Sequence, residues 1–222
     1  MKKFIIFAIL LFSFLGTAYG QSPNAVADTK AKEKQLLTRG NELQDVGKLE
    51  EAVNVYKELL KLTPNDAETV ATIAGCYSQL DKPDEAITWA RKAVGMAPKL
   101  AGARINYGNV LFLQKKYSEA EAEFRKAVEL DPKEILATYG LAVTLQGMAK
   151  YQESLDLYLK VIENDPKMDR AIYSAAEVYY RLGQLDRSIE MVEKTLRVNP
   201  DFEGAKEMLQ ALKKEQAGKP QK

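Results

Sequence analysis

The acidic side chains are the groups in this sequence that could support acid–base chemistry, as at Glu119, Glu121 and Glu123. Their even spread along the chain favours solvated helix surfaces over a catalytic pair. The chain has no histidine, so the usual general base and the commonest metal ligand are missing. A single cysteine excludes a structural zinc site, and the sequence lacks the motifs of phosphate and calcium loops. We therefore expect no catalytic residue, no cofactor and no metal site.

The sole cysteine, Cys76, excludes an intramolecular disulfide bond. Its place in a helical pattern predicts a small buried side chain, and the alternative is a reactive or intermolecular thiol.

The net charge of the chain is close to zero, because 30 of the 32 basic residues remain without Lys2 and Lys3, against 31 acidic ones. Proteins that bind duplex nucleic acid usually carry a basic face, so we expect no nucleic acid partner.

The first 20 residues of the chain predict a secretory signal segment. Two lysines precede an apolar run from Phe4 to Leu15, and small residues ending at Gly20 stand where signal peptidase requires them. The alternative to cleavage before Gln21 is an uncleaved anchor, although a spanning helix needs about 20 apolar residues. The short apolar run is typical of bacterial signals and predicts a periplasmic protein with no stable membrane span after cleavage. Residues 21–32 are polar and predict a disordered lead-in.

Five prolines recur at intervals of 34 residues, at Pro64, Pro98, Pro132, Pro166 and Pro200. Proline ends helices and pushes the preceding residue towards extended geometry, so the period predicts five helix–turn–helix repeats. Their bounds are 33–66, 67–100, 101–134, 135–168 and 169–202. Residues 203–216 predict an amphipathic helix that caps the last repeat, and residues 217–222 a disordered tail. The sequence therefore predicts an all-α fold.

Small residues recur where two helices must approach each other. Position eight of the five repeats holds Gly40, Ala74, Gly108, Ala142 and Ala176, and position twenty holds Ala52, Ala86, Ala120, Ser154 and Ser188. We expect Asp84, Ser118 and Asp186 to be N-caps of second helices. The only tryptophan, Trp89, stands in a mostly apolar column and is expected to pack between repeats, with contact to a partner as the alternative.

The third repeat shows the pattern most clearly, in Tyr107, Gly108, Ala120, Phe124 and Pro132. Together with the 34-residue period, these residues resemble the tetratricopeptide repeat (TPR) family over residues 33–202. The resemblance implies a right-handed superhelical solenoid of antiparallel helix pairs, whose first helices line a concave groove. It also implies a non-catalytic scaffold that binds a protein or peptide partner. The sequence departs from the family pattern at Ala90, where an aromatic residue is expected.

The resemblance implies that a partner binds along the first helices, and the groove-facing positions of repeats three to five are the aromatic and apolar ones in this sequence. The candidate partner-binding residues are Ile105, Asn106, Asn109, Phe112, Tyr139, Arg170, Tyr173, Glu177, Tyr180 and Arg181. Tyrosine suits recognition because its ring packs while its hydroxyl hydrogen-bonds, and packing between helices is the alternative role for these rings. Arg170 and Arg181 favour an acidic residue in the ligand.

The predicted location makes another protein of the cell envelope the expected partner. The alternative is a structural role, in which the chain associates with itself as a homo-oligomeric spacer. A further alternative is an accessory subunit of an envelope, outer-membrane or pilus assembly machine, which rests on analogy with other secreted repeat proteins.

Overall fold

The computed structural model describes residues 23–218, which form eleven α-helices and no β-strand. The helices are α1 (Pro23–Asp45), α2 (Leu49–Leu62), α3 (Ala67–Gln79), α4 (Pro83–Met96), α5 (Ala101–Leu113), α6 (Tyr117–Leu130), α7 (Ile135–Gly147), α8 (Tyr151–Asn164), α9 (Asp169–Arg181), α10 (Leu185–Val198) and α11 (Ala205–Gly218). The all-α prediction is confirmed. The predicted signal segment, residues 1–20, lies outside the described residues. Within the described range, no helix is long and apolar enough to cross a membrane.

The helices recur with the period of the sequence. The first helices α3, α5, α7 and α9 each have 13 residues, and the second helices α4, α6, α8 and α10 each have 14. The chain forms two compact parts, one ending at Pro64 and the other beginning at Asn65. The first part contains the pair α1 and α2. In the second part, neighbouring first helices contact each other, and each second helix contacts the first helix of the next pair, so the first helices form one row.

The first helix begins earlier than the sequence predicts. α1 starts at Pro23, so residues 23–32 are helical where a disordered lead-in was expected over residues 21–32. Proline is favoured in the first helical turn, where an N–H group has no intrahelical acceptor, and this stretch contains three alanines and two lysines, which are good helix formers. Nζ of Lys32 also lies 3.7 Å from Oε1 of Glu58 in α2.

The same tight turn joins the two helices of every pair. One residue of positive φ follows each first helix, at Gly47, Asp81, Lys115, Ala149 and Gly183, with φ between 55° and 74°. In the third repeat, the N–H of Lys116 donates to the carbonyl of Leu111 over 2.9 Å, and the N–H of Lys115 donates to that of Phe112 over 2.8 Å. These are the two hydrogen bonds of a Schellman motif, and the other four turns contain them as well.

These turns show that the predicted N-caps are wrong. The residue that completes each Schellman motif is also the N-cap position of the next helix, so that helix starts two residues earlier than expected. In the third repeat this residue is Lys116, whose side chain makes no capping hydrogen bond. Ser118 is therefore the second residue of α6, as Asp84 is of α4 and Asp186 is of α10. Acidic residues in the first turn still stabilise the positive end of the helix dipole.

The helix pairs pack large side chains against small ones, as the spacing predicts. The Phe124 ring lies between Gly108 of α5 and Gly140 of α7. A Cβ atom at Gly108 would lie 2.9 Å from Cζ of Phe124, and one at Gly140 would overlap the ring. In the fourth repeat, Oγ of Ser154 donates to the carbonyl of Ala142 over 2.7 Å. Small residues at these positions let the helices approach without steric conflict.

Aromatic residues surround Ala90, the position where the second repeat departs from the family pattern. Trp89 is half-buried and stacks on Tyr77, with ring centroids 6.5 Å apart, and both pack with Tyr107 against a buried cluster that includes Ala90. Trp89 therefore packs between helices.

Cys76 is buried, and burial raises the pKa of its thiol to about 11, so the nucleophilic thiolate is scarce at neutral pH.

The last helix covers the apolar side of the fifth pair. Gly204, with φ of 78°, turns the chain into α11. Ala205 and Leu212 of α11 are buried against the fifth pair, and Met208 and Leu209 pack on the same cluster. A helix therefore stands where residues 203–216 predict a cap, and it continues to Gly218.

Candidate partner-binding site

A cleft of about 370 Å³ opens on the row of first helices. Its lining residues are Phe112 from α5; Tyr139, Val143, Gln146 and Gly147 from α7; Tyr151 and Tyr158 from α8; and Ser174, Glu177 and Arg181 from α9. We call it the α7 cleft, because α7 contributes four of the ten, more than any other helix. Its volume lies within the range of ligand sites, and its lining combines aromatic rings with a few polar groups.

A chain of hydrogen bonds connects the buried end of the α7 cleft to its acidic side. Tyr158 is fully buried, and its hydroxyl donates to Oε1 of Gln146 over 2.7 Å. Nε2 of Gln146 donates to Oε2 of Glu177 over 3.4 Å. Burial, with further contributions from Tyr139 and Glu177, raises the pKa of Tyr158, so its hydroxyl keeps its proton. The chain orients the Glu177 carboxylate within the cleft.

The first repeat contains a similar arrangement without the carboxylate. The hydroxyl of Tyr56 donates to Oδ1 of Asn41 over 2.7 Å and to Oε1 of Gln44 over 3.2 Å. Asn41 belongs to the same repeat as Tyr56, whereas Glu177 belongs to the repeat that follows Gln146 and Tyr158, and the position of Glu177 in the repeat after the first holds Gly75. The tyrosine–glutamine contact is thus a packing device of this fold, and the negative charge distinguishes the α7 cleft.

Aromatic rings and one glycine shape the rest of the α7 cleft. The ring of Tyr139 lies 5.9 Å from that of Tyr158, and the ring of Phe112 lies 5.5 Å from that of Tyr117, measured between centroids. Gly147 is exposed at the end of α7. A Cβ atom there would lie 3.3 Å from Cε1 of Tyr117 and 3.6 Å from Cε2 of Phe112. A longer side chain at Gly147 would therefore occupy the cleft.

Arg181 lies at the rim of the α7 cleft. Its side chain is exposed and also lines a second cleft of about 310 Å³ together with Tyr180, Gly183, Leu185 and Glu215. This second cleft lies where the end of α9 meets α11. Arg181 is thus within reach of a ligand in either cleft.

The structure brings four of the predicted residues together in the α7 cleft: Phe112, Tyr139, Glu177 and Arg181. Tyr180 lines the second cleft instead. Asn106 is half-buried and Asn109 exposed, and neither lines the α7 cleft. Arg170 is exposed at the start of α9, about 16 Å from Arg181 along the helix axis, so the two arginines do not act on one point.

Two predicted binding residues are placed differently by the structure. Ile105 is only 8% exposed and belongs to the buried cluster around Phe124, because the helices on either side enclose an aliphatic side chain of its length. Tyr173 is half-buried, and its ring lies 4.8 Å from that of Phe202, measured between centroids. It packs beneath the start of α11, so changing it would disturb the cap as well as any bound partner.

Six residues that line the α7 cleft were not among the candidate residues, namely Val143, Gln146, Gly147, Tyr151, Tyr158 and Ser174. Gly147 could have been found from the sequence, because it is the only glycine at position thirteen of the repeats. The other repeats hold Asp45, Gln79, Leu113 and Arg181 there. Tyr158 could not have been found in this way, because an aromatic residue in a second helix is the expected core residue of the family pattern.

Two family models match this chain. The model described as anaphase-promoting complex, cyclosome, subunit 3 matches residues 45–127 and 84–161, which together cover just over half of the chain. A tetratricopeptide repeat model matches residues 139–201.

Curated proteins with related sequences contain the same repeat. Small glutamine-rich tetratricopeptide repeat-containing protein 2 of Mycosarcoma maydis is 31% identical over 90 residues, which are 40% of this chain and 26% of that protein. The Hsp70-Hsp90 organizing protein of Triticum aestivum is 30% identical over 82 residues, which are 37% of this chain and 14% of that protein. The chain thus spans about a quarter or less of the length of these relatives.

Solved structures share the arrangement of helices. MamA superposes with a TM-score of 0.62 at 25% identity, covering 72% of this chain and 94% of MamA. YrrB, described as a TPR protein with an unusual peptide-binding site, has a TM-score of 0.62 at 23% identity, covering 84% of this chain and 96% of YrrB. The likeness to YrrB shows the fold alone.

Proposed function

Because this chain belongs to the tetratricopeptide repeat family, we propose that it is a non-catalytic scaffold that holds a segment of a partner protein in the α7 cleft. Proteins of this family mediate interactions between proteins. The α7 cleft supports the proposal, since it is open, lies on the row of first helices and presents aromatic and charged side chains together. Aromatic residues and arginine supply most of the binding energy at protein interfaces.

The related proteins fit this proposal without deciding it. YrrB is described as having a peptide-binding site, and the wheat relative is named as an organizing protein for Hsp70 and Hsp90. From these relatives we infer for this chain only that such repeats bind protein segments. The partner of this chain must be inferred from its own cleft.

The proposed location is the bacterial periplasm, and the proposed partner is a protein of the cell envelope. Both rest on the apolar run from Phe4 to Leu15 and the small residues that follow it. A size comparison of the precursor and the exported protein would test the cleavage that this requires.

The variant Gly147→Gln tests binding in the α7 cleft. Gly147 is exposed, and its conformation requires no positive φ, so glutamine fits the backbone while its side chain fills the cleft. Partners would be captured from envelope extract on the immobilised wild type and on the variant, and compared by quantitative mass spectrometry. Gly95→Gln is the matched control, because Gly95 is exposed near the end of α4 with nothing within 4 Å of an added Cβ atom.

We expect Gly147→Gln to reduce the captured partner about tenfold, as a loss of about 1.4 kcal/mol would, and Gly95→Gln to leave it unchanged. Equal capture by all three proteins would show that the α7 cleft does not bind the partner. Light scattering of the wild type would support the self-associating spacer instead if it showed stable dimers or larger species and no partner were captured.

A further inference from the structure

We infer that the α7 cleft receives a basic side chain of the partner segment, lysine or arginine, which the Glu177 carboxylate holds among the surrounding aromatic rings. The inference rests on the proposed function, because it names the chemistry of the segment that the same cleft binds. It also reverses the charge that the two arginines suggested from sequence.

The Glu177 carboxylate contacts neighbouring side chains before any ligand binds. It is half-buried, and Gln146 donates to its Oε2 while the buried Tyr158 hydroxyl holds Gln146 from behind. This contact and the partial burial restrict the carboxylate before a ligand arrives, so less side-chain freedom is lost on binding. One long hydrogen bond, at 3.4 Å, leaves acceptor capacity on the carboxylate for a charged donor.

Aromatic rings share the α7 cleft with Glu177. Phe112, Tyr139 and Tyr151 line the same cleft. A lysine ammonium or an arginine guanidinium is attracted to the face of an aromatic ring within about 6 Å of its centroid. The aliphatic stem of either side chain would also bury apolar surface against these rings. An acidic side chain would have neither contact and would be repelled by Glu177.

The charge of Glu177 acts on two neighbouring tyrosines. Burial and then Glu177 and Glu207 raise the pKa of Tyr173, and Glu177 also contributes to the raised pKa of Tyr158. Two tyrosines on adjacent helices therefore both sense the Glu177 charge. A field that disfavours a second negative charge favours a positive one.

Arg181 has the opposite charge but a different position. Its side chain is exposed and also borders the second cleft, so its charge is more fully solvated than that of the half-buried Glu177. It would pair with an acidic residue beside the basic one in the ligand. A bound segment would therefore place its basic side chain inside the cleft, among the rings, and its acidic side chain at the rim.

Degenerate peptide pools test this inference without knowledge of the partner. Three pools of acetylated and amidated nonapeptides would carry lysine, glutamine or glutamate at the centre, with four random positions on each side. The purified wild type, immobilised, would be incubated with each pool, and the retained peptide quantified. The same measurement would be made on Glu177→Gln, Glu177→Lys, Gly147→Gln and, as the control, Glu190→Gln, an exposed glutamate of α10. Circular dichroism would verify that each variant is folded.

We expect the wild type and Glu190→Gln to retain the lysine pool about fivefold or more above the glutamate pool. That ratio corresponds to about 1 kcal/mol, as expected for a cation among aromatic rings. Glu177→Gln should remove most of the preference, and Glu177→Lys should reverse it. An unchanged lysine preference in Glu177→Gln would overturn the inference.

The controls separate this inference from the proposed function. If all pools bind alike and Gly147→Gln abolishes their retention, the cleft binds peptides but the basic side chain is wrong. If no pool is retained while Gly147→Gln still reduces partner capture, the charge inference is again overturned. If no pool is retained and Gly147→Gln captures the partner normally, both the inference and the proposed function are wrong.

Discussion

The hydroxyl of Tyr158 donates a hydrogen bond of 2.7 Å to Oε1 of Gln146, so a fully buried side chain of α8 orients a polar side chain in the α7 cleft. Core packing and the candidate site are therefore not separate in this protein. The tyrosine ring fills the space between helices, while its hydroxyl supports Gln146 and, through it, Glu177.

Tyr158→Phe should lower the free energy of unfolding by about 0.5–1.5 kcal/mol, the usual worth of one hydrogen bond. The ring should still fit, because Phe124 occupies the equivalent position in the third repeat. Urea unfolding followed by circular dichroism would measure the change. Tyr151→Phe is the control, since Tyr151 is only half-buried, and it should cost less. Equal stability of Tyr158→Phe and the wild type would mean that this hydrogen bond adds nothing to folding.

Gly140→Ala should destabilise the protein by about 1–3 kcal/mol, because the added Cβ atom would overlap the buried ring of Phe124. Gly75→Ala in α3 is the matched control. No atom lies within 4 Å of a Cβ at Gly75, so alanine there should stabilise the helix by up to about 1 kcal/mol. Thermal unfolding would compare the two variants. Similar shifts of both in the same direction would show that the ring does not restrict position 140.

Removal of residues 203–222 should expose the apolar face of the fifth pair, where Leu185, Ile189 and Val192 share a buried cluster with α11. The terminal repeats of such arrays need a polar outer face to remain soluble. We expect aggregation in light scattering and loss of hydrogen-exchange protection first in α10. Removal of residues 219–222 alone is the control. A monomeric truncated protein with normal exchange in α10 would show that α11 is dispensable.

Glu121 should stabilise the fold in a pH-dependent manner. Partial burial opposes its ionisation, but hydrogen bonds and charges from Lys150 and Arg125 lower its pKa below the ordinary 4.5, with Nζ of Lys150 at 2.9 Å from Oε2. A carboxyl whose pKa is lower in the folded state stabilises that state above its unfolded pKa, and this stability is lost as the pH falls through the folded pKa.

Glu121→Gln should therefore cost about 0.2–1 kcal/mol for each of the two ion pairs at pH 7, and the difference from the wild type should shrink below about pH 4.5. Urea unfolding at several pH values would show this. Glu119→Gln, at an exposed neighbouring position, should change stability little throughout. A Glu121→Gln difference that stays constant down to pH 2 would contradict the ionic origin of the effect.

The period of the sequence was sufficient to predict the fold, for a local physical reason. Proline is accepted in the first turn of a helix, as at Pro83, but is excluded from later turns, and matched large and small residues let the two helices of a pair approach each other. The pairing of Phe124 with Gly108 followed from this pattern, whereas that with Gly140 did not, because Gly140 belongs to the next repeat. Helix starts were mispredicted at Asp84, Ser118 and Asp186 because the true N-cap positions, Lys82, Lys116 and Gln184, make no capping hydrogen bond with their side chains and so carry no capping signal.

Only the tertiary structure decided which of the groove-facing residues on the first helices are accessible to a partner. Ile105 and Tyr139 occupy the same position of successive repeats, yet Ile105 is buried and Tyr139 lines the α7 cleft. Tyr139 shares the cleft with Ser174 and Glu177 of the next repeat, whose identities the repeat pattern does not constrain. Sequence periodicity reports which face of a helix a residue lies on. The space around it is determined by side chains about one repeat away along the chain, and these meet only when the helices stack.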